Sequence, residues 1–522
     1  MAAVLPAGIN ESAMARALEE FSAALGTDAV LTSDEDLREF RDPYAFASWD
    51  EFTASAVLMP GSVEQVQAIV RIANQHRVPL WTFSQGRNNS YGGPAPRVRG
   101  SVLVNLRRMN RVLEVDEELA YAVVEPGVRF MDLYDHLRAG GHRLWPSTPD
   151  LGWGSVIGNA LDHGRGYGRY GDHPAAICGM EVVLASGEVL RTGMGAMANS
   201  RSWHVYQRGY GPSVDGIFMQ SNFGIVTKVG VWLMPEPETY VSCWARVKGE
   251  EGLEALIDTI RPLMLDGTVP NYPLVRKGIG IGAWDASQEA WETSDDPIPP
   301  EIMERIFQER HSGWWAMRFA LYGPEAVVDA QWDIVREAFG RIGGEVGGRR
   351  YTGSGAHRAK VPDDKVQGGI PGLDILEVMK SQAGEDYGHL DFSPVAPLTG
   401  REVVEMTRLI GPVIERHGLQ YTPGMILTPR CVLHIGTTVY DSADEAQAQS
   451  AFDAYQELIG KCAEAGFGIY RTHLKFMDQV AGTYGYNDQV QRRFNETLKD
   501  VLDPNGILAP GKQGIWPKSM RA

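Results

Sequence analysis

The sequence has few cysteines and no paired cysteine motif. Its four cysteines, among 522 residues, lie far apart at Cys178, Cys243, Cys431 and Cys462, and no two of them form a C-x-x-C pair. This spacing argues against a disulfide framework and against a zinc site, and it fits a reducing compartment. We therefore expect no bound metal.

The sequence also lacks long apolar runs and an excess of positive charge. No apolar run reaches the length of a membrane-spanning helix, and no charged start followed by an apolar block indicates a signal peptide. The formal net charge of −17 disfavours nucleic acid and anionic membrane surfaces as partners. We expect a cytoplasmic protein without either partner.

The length exceeds what one compact core accommodates, so we expect two or more domains. Residues 12–40 carry helical patterning. Residues 54–59 and 78–83 read as strands, and Ser62-x-x-Gln65 between them reads as a helix cap. This predicts a β-α-β unit, whose Gly- and Asn-rich exit loop, 84–97, is a common position for a ligand site.

The character of the chain changes near residue 236, where longer helical patterns begin. We predict a first domain over 1–236, a second over 237–490, and a tail over 491–522 that returns to the first domain. The longer helices are predicted at 251–264, 300–310, 324–340, 401–417 and 444–466. Strands are predicted between them at 315–322 and 431–437.

A glycine-rich run, Pro149–His173, is the most unusual stretch of the chain. Glycine weakens helices and strands, and exposed backbone N–H groups in such a run form anion sites, so we expect a phosphate-bearing cofactor here. Gly166-x-Gly168-x-x-Gly171 matches the pattern of a nicotinamide dinucleotide site. We reject that interpretation because no strand precedes it and a hairpin pattern, 180–190, follows instead of a helix.

Seven motifs, spread in order over nearly the whole chain, carry a family resemblance: SQGRNNSYGG, PDLGWGSVIGN, GYGRYGDH, QSNFGIVTK, YGHLDFSP, IYRTH and LDPNGILAPGK. Together they resemble the vanillyl-alcohol oxidase/para-cresol dehydrogenase flavoproteins. The resemblance implies an α+β fold of two domains. A PCMH-type FAD-binding domain comes from both chain ends, and a central antiparallel sheet with helices forms a substrate cap domain.

The resemblance implies a set of FAD-binding residues, and His389 matches the position of covalent attachment in the histidyl oxidases of the family. Para-cresol dehydrogenases use a tyrosine instead, which makes Tyr387 a competing candidate. The other residues that the resemblance assigns to FAD are Gly86, Arg87, Asn88, Asn89, Gly92, Gly93, Pro149, Leu151, Ser155, Gly158, Asn159, Gly166, Tyr170, Gly171, Gly224, Ile225, Val226 and Lys512.

The resemblance also implies a catalytic set. Tyr91, Tyr470 and Arg471 correspond to the residues that hold a phenol oxygen as phenolate. This is sound chemistry, because a phenol has a pKa of about 10, and two hydroxyl donors with a guanidinium favour its ionised form. Asp150 matches the aspartate beside the flavin that acts as base, and we expect an apolar pocket around it.

Three residues of the implied substrate pocket depart from the family pattern. Arg165 and Asp391 stand where we expect small residues, and Gly424 stands where we expect a larger polar side chain. Because isolated buried charges are costly, we expect Arg165 and Asp391 to pair across the cavity. Gly424 would then open space for a polar or bulkier substituent. The rest of the implied pocket comprises Tyr167, Ser393 and Met425.

We therefore predict an FAD-dependent oxidase of para-substituted phenols that reduces O₂ to H₂O₂ through a para-quinone methide. A dehydrogenase that passes electrons to a cytochrome or another acceptor is an alternative. A flavin-retaining binding or carrier protein without turnover is a second. By family habit we expect a homodimer or a higher homo-oligomer.

Overall fold

A computed structural model describes residues 4–44, 51–277 and 314–521, together with Ile302 and Arg305. The helix predicted at 300–310 lies outside the described residues, apart from those two. In the described part of the chain, no helix is long and apolar enough to cross a membrane. The helices are α1 (Glu11–Leu25), α2 (Asp34–Arg38), α3 (Val63–His76), α4 (Phe130–Ala139), α5 (Val156–Leu161), α6 (Gly252–Leu265), α7 (Glu325–Gly340), α8 (Pro362–Gln367), α9 (Asp374–Ala383), α10 (Gly400–Arg416), α11 (Glu445–Glu464), α12 (Met477–Thr483) and α13 (Tyr486–Leu502).

Two main sheets form in the N-terminal part of the chain, and a two-stranded sheet lies beside them. The strands are β1 (Val30–Leu31), β2 (Ala56–Leu58), β3 (Leu80–Phe83), β4 (Val102–Asn105), β5 (Val112–Asp116), β6 (Tyr121–Val124), β7 (Leu144–Trp145), β8 (Ile177–Leu184), β9 (Val189–Arg191), β10 (Gly224–Trp232) and β11 (Met234–Pro235). Their orders are β1-β2-β4-β3, β5-β6-β10-β8-β9 and β11-β7. β2 and β3 both pair in parallel with β4, whereas the second sheet is antiparallel.

The predicted β-α-β unit is confirmed as β2, α3 and β3. The Ser62 hydroxyl accepts a hydrogen bond from the Gln65 N–H at 3.3 Å and caps α3, whose apolar residues are buried at helical spacing. The hairpin of β8 and β9 is also as predicted. The prediction of helical structure over the whole of residues 12–40 is wrong. Gly26 adopts φ of +91° and ends α1, and β1 and α2 follow it.

The middle of the chain forms one eight-stranded antiparallel sheet with the order β15-β12-β14-β13-β17-β18-β16-β19. The helices α6, α7, α10 and α11 contribute to the large hydrophobic core that forms with this sheet, with buried side chains such as Leu256, Phe339, Ile410 and Leu458. The strands are β12 (Thr239–Val247), β13 (Leu274–Lys277), β14 (Trp315–Gly323), β15 (Glu345–Thr352), β16 (Tyr387–Pro397), β17 (Thr422–Leu427), β18 (Cys431–Asp441) and β19 (Ile469–Arg471).

The C-terminal tail completes the N-terminal sheet. The Leu80 N–H donates to the Ile507 carbonyl at 2.7 Å, and the Ala509 N–H donates to the Leu80 carbonyl at 2.8 Å. The two-domain fold therefore takes its first domain from both chain ends, as the resemblance implied. We propose domain limits at residues 236 and 490.

A buried lysine anchors this tail. Lys499 and Asp503 are both fully buried and form an ion pair at 2.7 Å. The same ammonium donates to the carbonyls of Asn222 and Leu508 at 2.9 and 2.6 Å. Its three donors are thus all satisfied, which is what a buried charge requires.

Candidate active site

A cavity of about 350 Å³, the main cavity, lies where the loop after β3, the Pro149 run, the start of β10, strand β16 and the tail meet. Its walls include the catalytic candidates Tyr91, Asp150, Tyr470 and Arg471. They also include fifteen of the residues assigned to the cofactor, namely Gly86, Arg87, Asn88, Asn89, Gly93, Pro149, Leu151, Ser155, Gly158, Asn159, Gly224, Ile225, Val226, His389 and Lys512.

The loop after β3 reaches this cavity through a tight turn and one short helical turn. Gly86 has φ of +63°, and a Cβ there would lie 2.9 Å from Pro94 Cβ, so that position requires glycine. Residues 89–91 form a 3₁₀ turn that carries Ser90 and Tyr91 onto strand β16. The turn at Gly86 and the 3₁₀ turn that follows it therefore determine where the Tyr91 side chain enters the cavity.

Several residues that the sequence assigned to the site lie away from the cavity. The Gly166 N–H donates to the Gly171 carbonyl at 2.9 Å, so these glycines close a loop on themselves, and Tyr170 packs beside the buried Trp145 cluster. Gly92, with φ of +100°, does not line the cavity itself but packs against Leu474, which does. Met425 is wholly buried in the core that the helices form.

Five buried side-chain atoms around the main cavity have no hydrogen-bond partner in the described structure. They are Trp153 Nε1, Arg165 Nε, Asn222 Oδ1, His389 Nδ1 and Arg471 Nε. Because buried polar groups are nearly always paired, this concentration of open donors and acceptors indicates a polar ligand. The walls fit a large cofactor with both hydrogen-bond donors and acceptors, as FAD has.

In the wall of the main cavity, Tyr91 and Tyr470 lie beside the partly buried side chain of Arg471. Arg471 lies 4.2 Å from the centre of the Tyr91 ring, and the Tyr91 hydroxyl is 3.0 Å from Ser393 Oγ. Burial raises the pKa of both Tyr91 and Tyr470, so each hydroxyl keeps its proton, although Arg471 partly opposes the shift. Burial lowers the pKa of Arg471, but neighbouring tyrosines and carboxylates outweigh it and the net shift is upward.

Asp150 is paired with an arginine that the sequence analysis missed. One Nη of Arg318 donates to both carboxylate oxygens of Asp150, at 2.7 and 2.9 Å, and the other donates to Asp363 at 2.6 Å. The surroundings of Asp150 are therefore ionic rather than apolar as expected. The sequence feature that could have drawn attention to Arg318 is its position as the single charged residue in the otherwise apolar strand β14, WAMRFALYG.

The Arg318 guanidinium also lies over the Tyr167 ring, 4.0 Å from its centre. Burial is the main cause of a raised pKa at Tyr167, and the charge of Asp150 raises it further. Burial lowers the pKa of Arg318, but Asp150 and Asp363 more than compensate. Arg318 therefore stays charged and Tyr167 stays protonated beside Asp150, the candidate base.

A second cavity of about 240 Å³, the second chamber, shares Asp150, Tyr167, His389 and Asp391 with the main cavity. Gly424 lines this chamber, and a Cβ added there would meet only Ile435 O at 3.4 Å and Leu274 Cδ1 at 3.8 Å. Its other walls are largely apolar and come from β13, β17, β18 and α9. The chamber therefore has Asp150 and Gly424 in the same wall.

The expected ion pair between Arg165 and Asp391 is absent. Arg165 instead pairs with Asp172 at 3.0 Å, since an isolated bridge between these two residues folds the loop back on itself. Asp391 accepts hydrogen bonds from Ser90 Oγ at 2.7 Å and Thr437 Oγ1 at 2.8 Å. Arg165 still lines the main cavity, whereas Asp391 lines both cavities.

The two candidates for covalent attachment differ in position. His389 is buried and lines both cavities, whereas Tyr387, on the same face of β16, lines neither. The ring of Tyr44 lies 4.9 Å from that of His389. Burial lowers the pKa of His389, against the opposing charge of Asp391, so its imidazole is neutral near pH 7 and can act as a nucleophile.

Among the described residues, no group of histidine, cysteine and carboxylate side chains is arranged to hold a metal ion. The site therefore combines the cation of Arg471 with its two tyrosines, a base candidate at Asp150, a neutral histidine and a second chamber. Besides Arg318, the sequence analysis missed Asn222 and Trp153, which line the main cavity and each carry a buried polar atom without a hydrogen-bond partner in the described structure. Asn222 lies within the motif QSNFGIVTK, which was recognised without this residue being singled out.

Comparison with known proteins identifies the domains. The family model "FAD binding domain" matches residues 54–193, and "FAD linked oxidases, C-terminal domain" matches residues 431–513. The chain is 34% identical to the flavoprotein subunit of 4-cresol dehydrogenase (hydroxylating) from Pseudomonas putida, over 98% of each chain.

Solved structures are similar over the whole chain. The 4-ethylphenol oxidase from Gulosibacter chungangensis, in complex with isoeugenol, superimposes with a TM-score of 0.93 at 40% identity, covering 99% of this chain and 100% of that one. Substrate-bound p-cresol methylhydroxylase superimposes with a TM-score of 0.91 at 33% identity, covering 98% and 99%.

Proposed function

This chain belongs to the vanillyl-alcohol oxidase/para-cresol dehydrogenase family of FAD-dependent oxidoreductases, and on that basis we propose that it oxidises para-substituted phenols with O₂ as electron acceptor. FAD is its cofactor. The substrates we propose are 4-hydroxybenzylic alcohols and 4-alkyl or 4-allyl phenols. The observation that carries this proposal is the partly buried Arg471 side chain, whose buried Nε has no hydrogen-bond partner, beside Tyr91 and Tyr470.

In the proposed reaction, these three residues hold the phenol oxygen. The tyrosines keep their protons and donate to it, and the guanidinium supplies a permanent positive charge in a buried site, where such charges act strongly. All of these contacts favour phenolate over phenol. The negative charge spreads through the ring and weakens the benzylic C–H bond para to the oxygen.

When bound, FAD supplies an acceptor for the hydride that leaves this carbon, and the substrate becomes a para-quinone methide. We propose that the residues holding FAD are those listed above as walls of the main cavity, with His389 as the covalent attachment point. Its neutral, buried ring and unpartnered Nδ1 support that assignment.

Asp150 would act on the quinone methide. Its carboxylate can accept the proton of a water molecule that adds to the benzylic carbon, or the hydroxyl proton of a benzylic alcohol. Arg318 fixes this carboxylate with two hydrogen bonds from one nitrogen, so the oxygens keep a set orientation at the boundary of the two cavities. We propose Arg318 as the positioning residue of the base.

Two measurements test the reaction and its acceptor. Under argon, 4-ethylphenol or vanillyl alcohol should bleach the flavin spectrum, and bleaching by no phenol would reject the enzyme proposal in favour of a binding protein. Under air, an oxidase releases H₂O₂ at the rate of phenol consumption. Reduction of a dye under argon with no H₂O₂ under air would identify a dehydrogenase instead. The homodimer and the cytoplasmic location stay predictions.

Covalent attachment is tested by denaturing precipitation of the holoenzyme. A yellow pellet marks a covalent flavin, and His389→Ala should give a colourless pellet and a yellow supernatant. Tyr387→Phe is the matched control, because Tyr387 shares the strand face but lines neither cavity, and its pellet should stay yellow. A colourless Tyr387→Phe pellet would assign the link to the tyrosine.

A further inference from the structure

Asp391 places a carboxylate close to Tyr91 and Arg471, two of the residues proposed to hold the phenol oxygen. It accepts a hydrogen bond from Ser90 Oγ at 2.7 Å, and the hydroxyl of Tyr91, the residue after Ser90, is 3.0 Å from Ser393 Oγ. Asp391 and Ser393 are alternate residues on one face of β16, with Cα atoms about 7 Å apart. Ser393 in turn pairs with Arg471 across β16 and β19. These contacts bring Asp391 to the same part of the main cavity wall as the phenol-binding residues.

The two tyrosines of this site respond to the charge of Asp391. Burial is the main cause of the raised pKa of Tyr91 and of Tyr470, and Arg471 opposes it. The charge of Asp391 raises both pKa values further. A tyrosine side chain is itself a phenol, so a substrate phenol bound beside these two is subject to the same negative charge. The effect expected on the substrate is therefore a higher pKa.

The cations that line the second chamber together with Asp391 have other neighbours. They are Arg276, Lys277, Arg318 and Lys365. Both arginines donate to Asp363 at 2.6 Å, and Lys365 pairs with Asp374 at 2.7 Å. In the described part of the chain, none of these cations forms an ion pair with Asp391.

Lys277 is surrounded by a different set of groups. Its Nζ lies 5.4 Å from the centre of the Tyr421 ring. Burial lowers the pKa of Lys277, and the charges that oppose this shift are those of Glu250 and Glu415. The charge of Lys277 is therefore balanced mainly by these two carboxylates.

The other titratable groups that respond to Asp391 are neutral near pH 7. Tyr44 precedes β2, Tyr455 belongs to α11, and His389 lies on the same face of β16 as Asp391. Burial raises the pKa of both tyrosines and lowers that of His389, and the charge of Asp391 is a smaller effect in each case. Neutral groups do not compensate the carboxylate.

Two further charges act on the phenol-binding residues from the loop after α5. Arg165 pairs with Asp172 at 3.0 Å, so its charge is largely compensated. Burial lowers the pKa of Arg471, and Asp162 and Asp391 are among the groups that raise it. Arg471 therefore already balances two carboxylates before a phenol binds. A phenolate adds a third negative charge to the same guanidinium.

We propose that Asp391 opposes ionisation of the phenol bound at Arg471 and thereby sets the pH range in which the protein oxidises 4-alkylphenols. The inference rests on the proposed function, which puts the phenol oxygen at Arg471. A like charge at such a separation raises the pKa of a phenol by about one pH unit. Because hydride loss requires the phenolate, oxidation should accelerate as the pH rises through that raised pKa.

The test measures the ionisation of a bound phenol directly. 4-Hydroxyacetophenone carries no hydride on its para carbon, and its phenolate absorbs at a longer wavelength than its phenol. With oxidised holoenzyme in excess, the midpoint of this spectral change is measured across pH. Asp391→Asn should lower the midpoint by about one pH unit. Asp391→Ser should do the same if the asparagine variant loses its flavin.

A control and a second readout separate this effect from a structural one. Asp488→Asn removes the same charge from a side chain that is 97% exposed, and its midpoint should equal that of the wild type. The rate at which 4-ethylphenol bleaches the flavin under argon should rise with pH, and in Asp391→Asn this rise should move to lower pH by the same amount. Equal midpoints in the wild type and both Asp391 variants would overturn the inference. A slower rate at every pH with an unmoved midpoint would also overturn it, because it marks a structural role only.

The outcome is separable from that of the proposed function. If 4-ethylphenol bleaches the flavin but the midpoint does not move on substitution, the role of Asp391 is rejected and phenol oxidation stands. If no phenol bleaches the flavin but the midpoint falls in Asp391→Asn, phenol oxidation is rejected and the effect of Asp391 on a bound phenol stands. If the probe does not bind to the wild type, the phenol site and the inference are rejected together.

Discussion

Replacing Arg318 with methionine should destabilise the protein by removing a buried counter-ion. The Arg318 side chain is 5% exposed and contacts Asp150 and Asp363, which are 25% and 21% exposed. Breaking a buried ion pair by removing one partner costs about 3–5 kcal/mol. Because Asp363 keeps Arg276 and Asp150 is partly exposed, we expect a loss of about 3 kcal/mol, at the lower end of that range.

A double-mutant cycle isolates the share of this loss that belongs to Asp150. Charge-assisted hydrogen bonds contribute about 1.5–3 kcal/mol, so Arg318→Met should cost about 2 kcal/mol less in an Asp150→Asn background. The measurement is urea unfolding of the holoenzyme followed by tryptophan fluorescence. A coupling energy below about 0.5 kcal/mol, the usual error of additivity, would refute the assignment of Arg318 as the partner that orients Asp150.

Two further predictions concern stability. Lys499→Met leaves Asp503 buried without its cation, so the free energy of unfolding should fall by about 3–5 kcal/mol. The tail should also become sensitive to limited proteolysis. The control Lys518→Met, at an exposed lysine, should change neither quantity. Burial lowers the pKa of His173 to about 3 and that of His434 to about 4. Since unfolded histidine titrates near pH 6.5, the stabilisation is complete above that pH and decreases as the pH falls, by about 1.4 kcal/mol per pH unit for each histidine. Urea unfolding between pH 7.5 and 5 should show this loss of stability, and His434→Gln should reduce its slope below pH 6.5 by about 1.4 kcal/mol per pH unit.

Local signals were sufficient to predict the elements that frame the site. The β-α-β unit follows from apolar runs and from the Ser62 cap, which depend only on near neighbours in the sequence. The ordered motifs placed Tyr91, His389 and Arg471 around one cavity, because a family resemblance carries tertiary information that propensity does not.

Contacts that depend on tertiary structure were not predictable in this way. Arg318 and Asp150 are 168 residues apart, and nothing in either neighbourhood indicates the other. The pairing of Arg165 with Asp391 was wrong because Asp172, close by in the chain, meets Arg165 across a narrow loop. A charge that looks isolated in sequence often has a local partner that only the folded backbone brings within reach.

The way the tail joins β3 sets an order of events during biosynthesis. Strand β3 leaves the ribosome more than 400 residues before its edge partners at residues 507–509 are translated. Until then the sheet edge is unpaired, and the wall of the main cavity that contains Leu508, Ala509 and Lys512 does not exist. Loading of the flavin must therefore follow translation of residues 507–512, and chains truncated before these residues have no finished site to load.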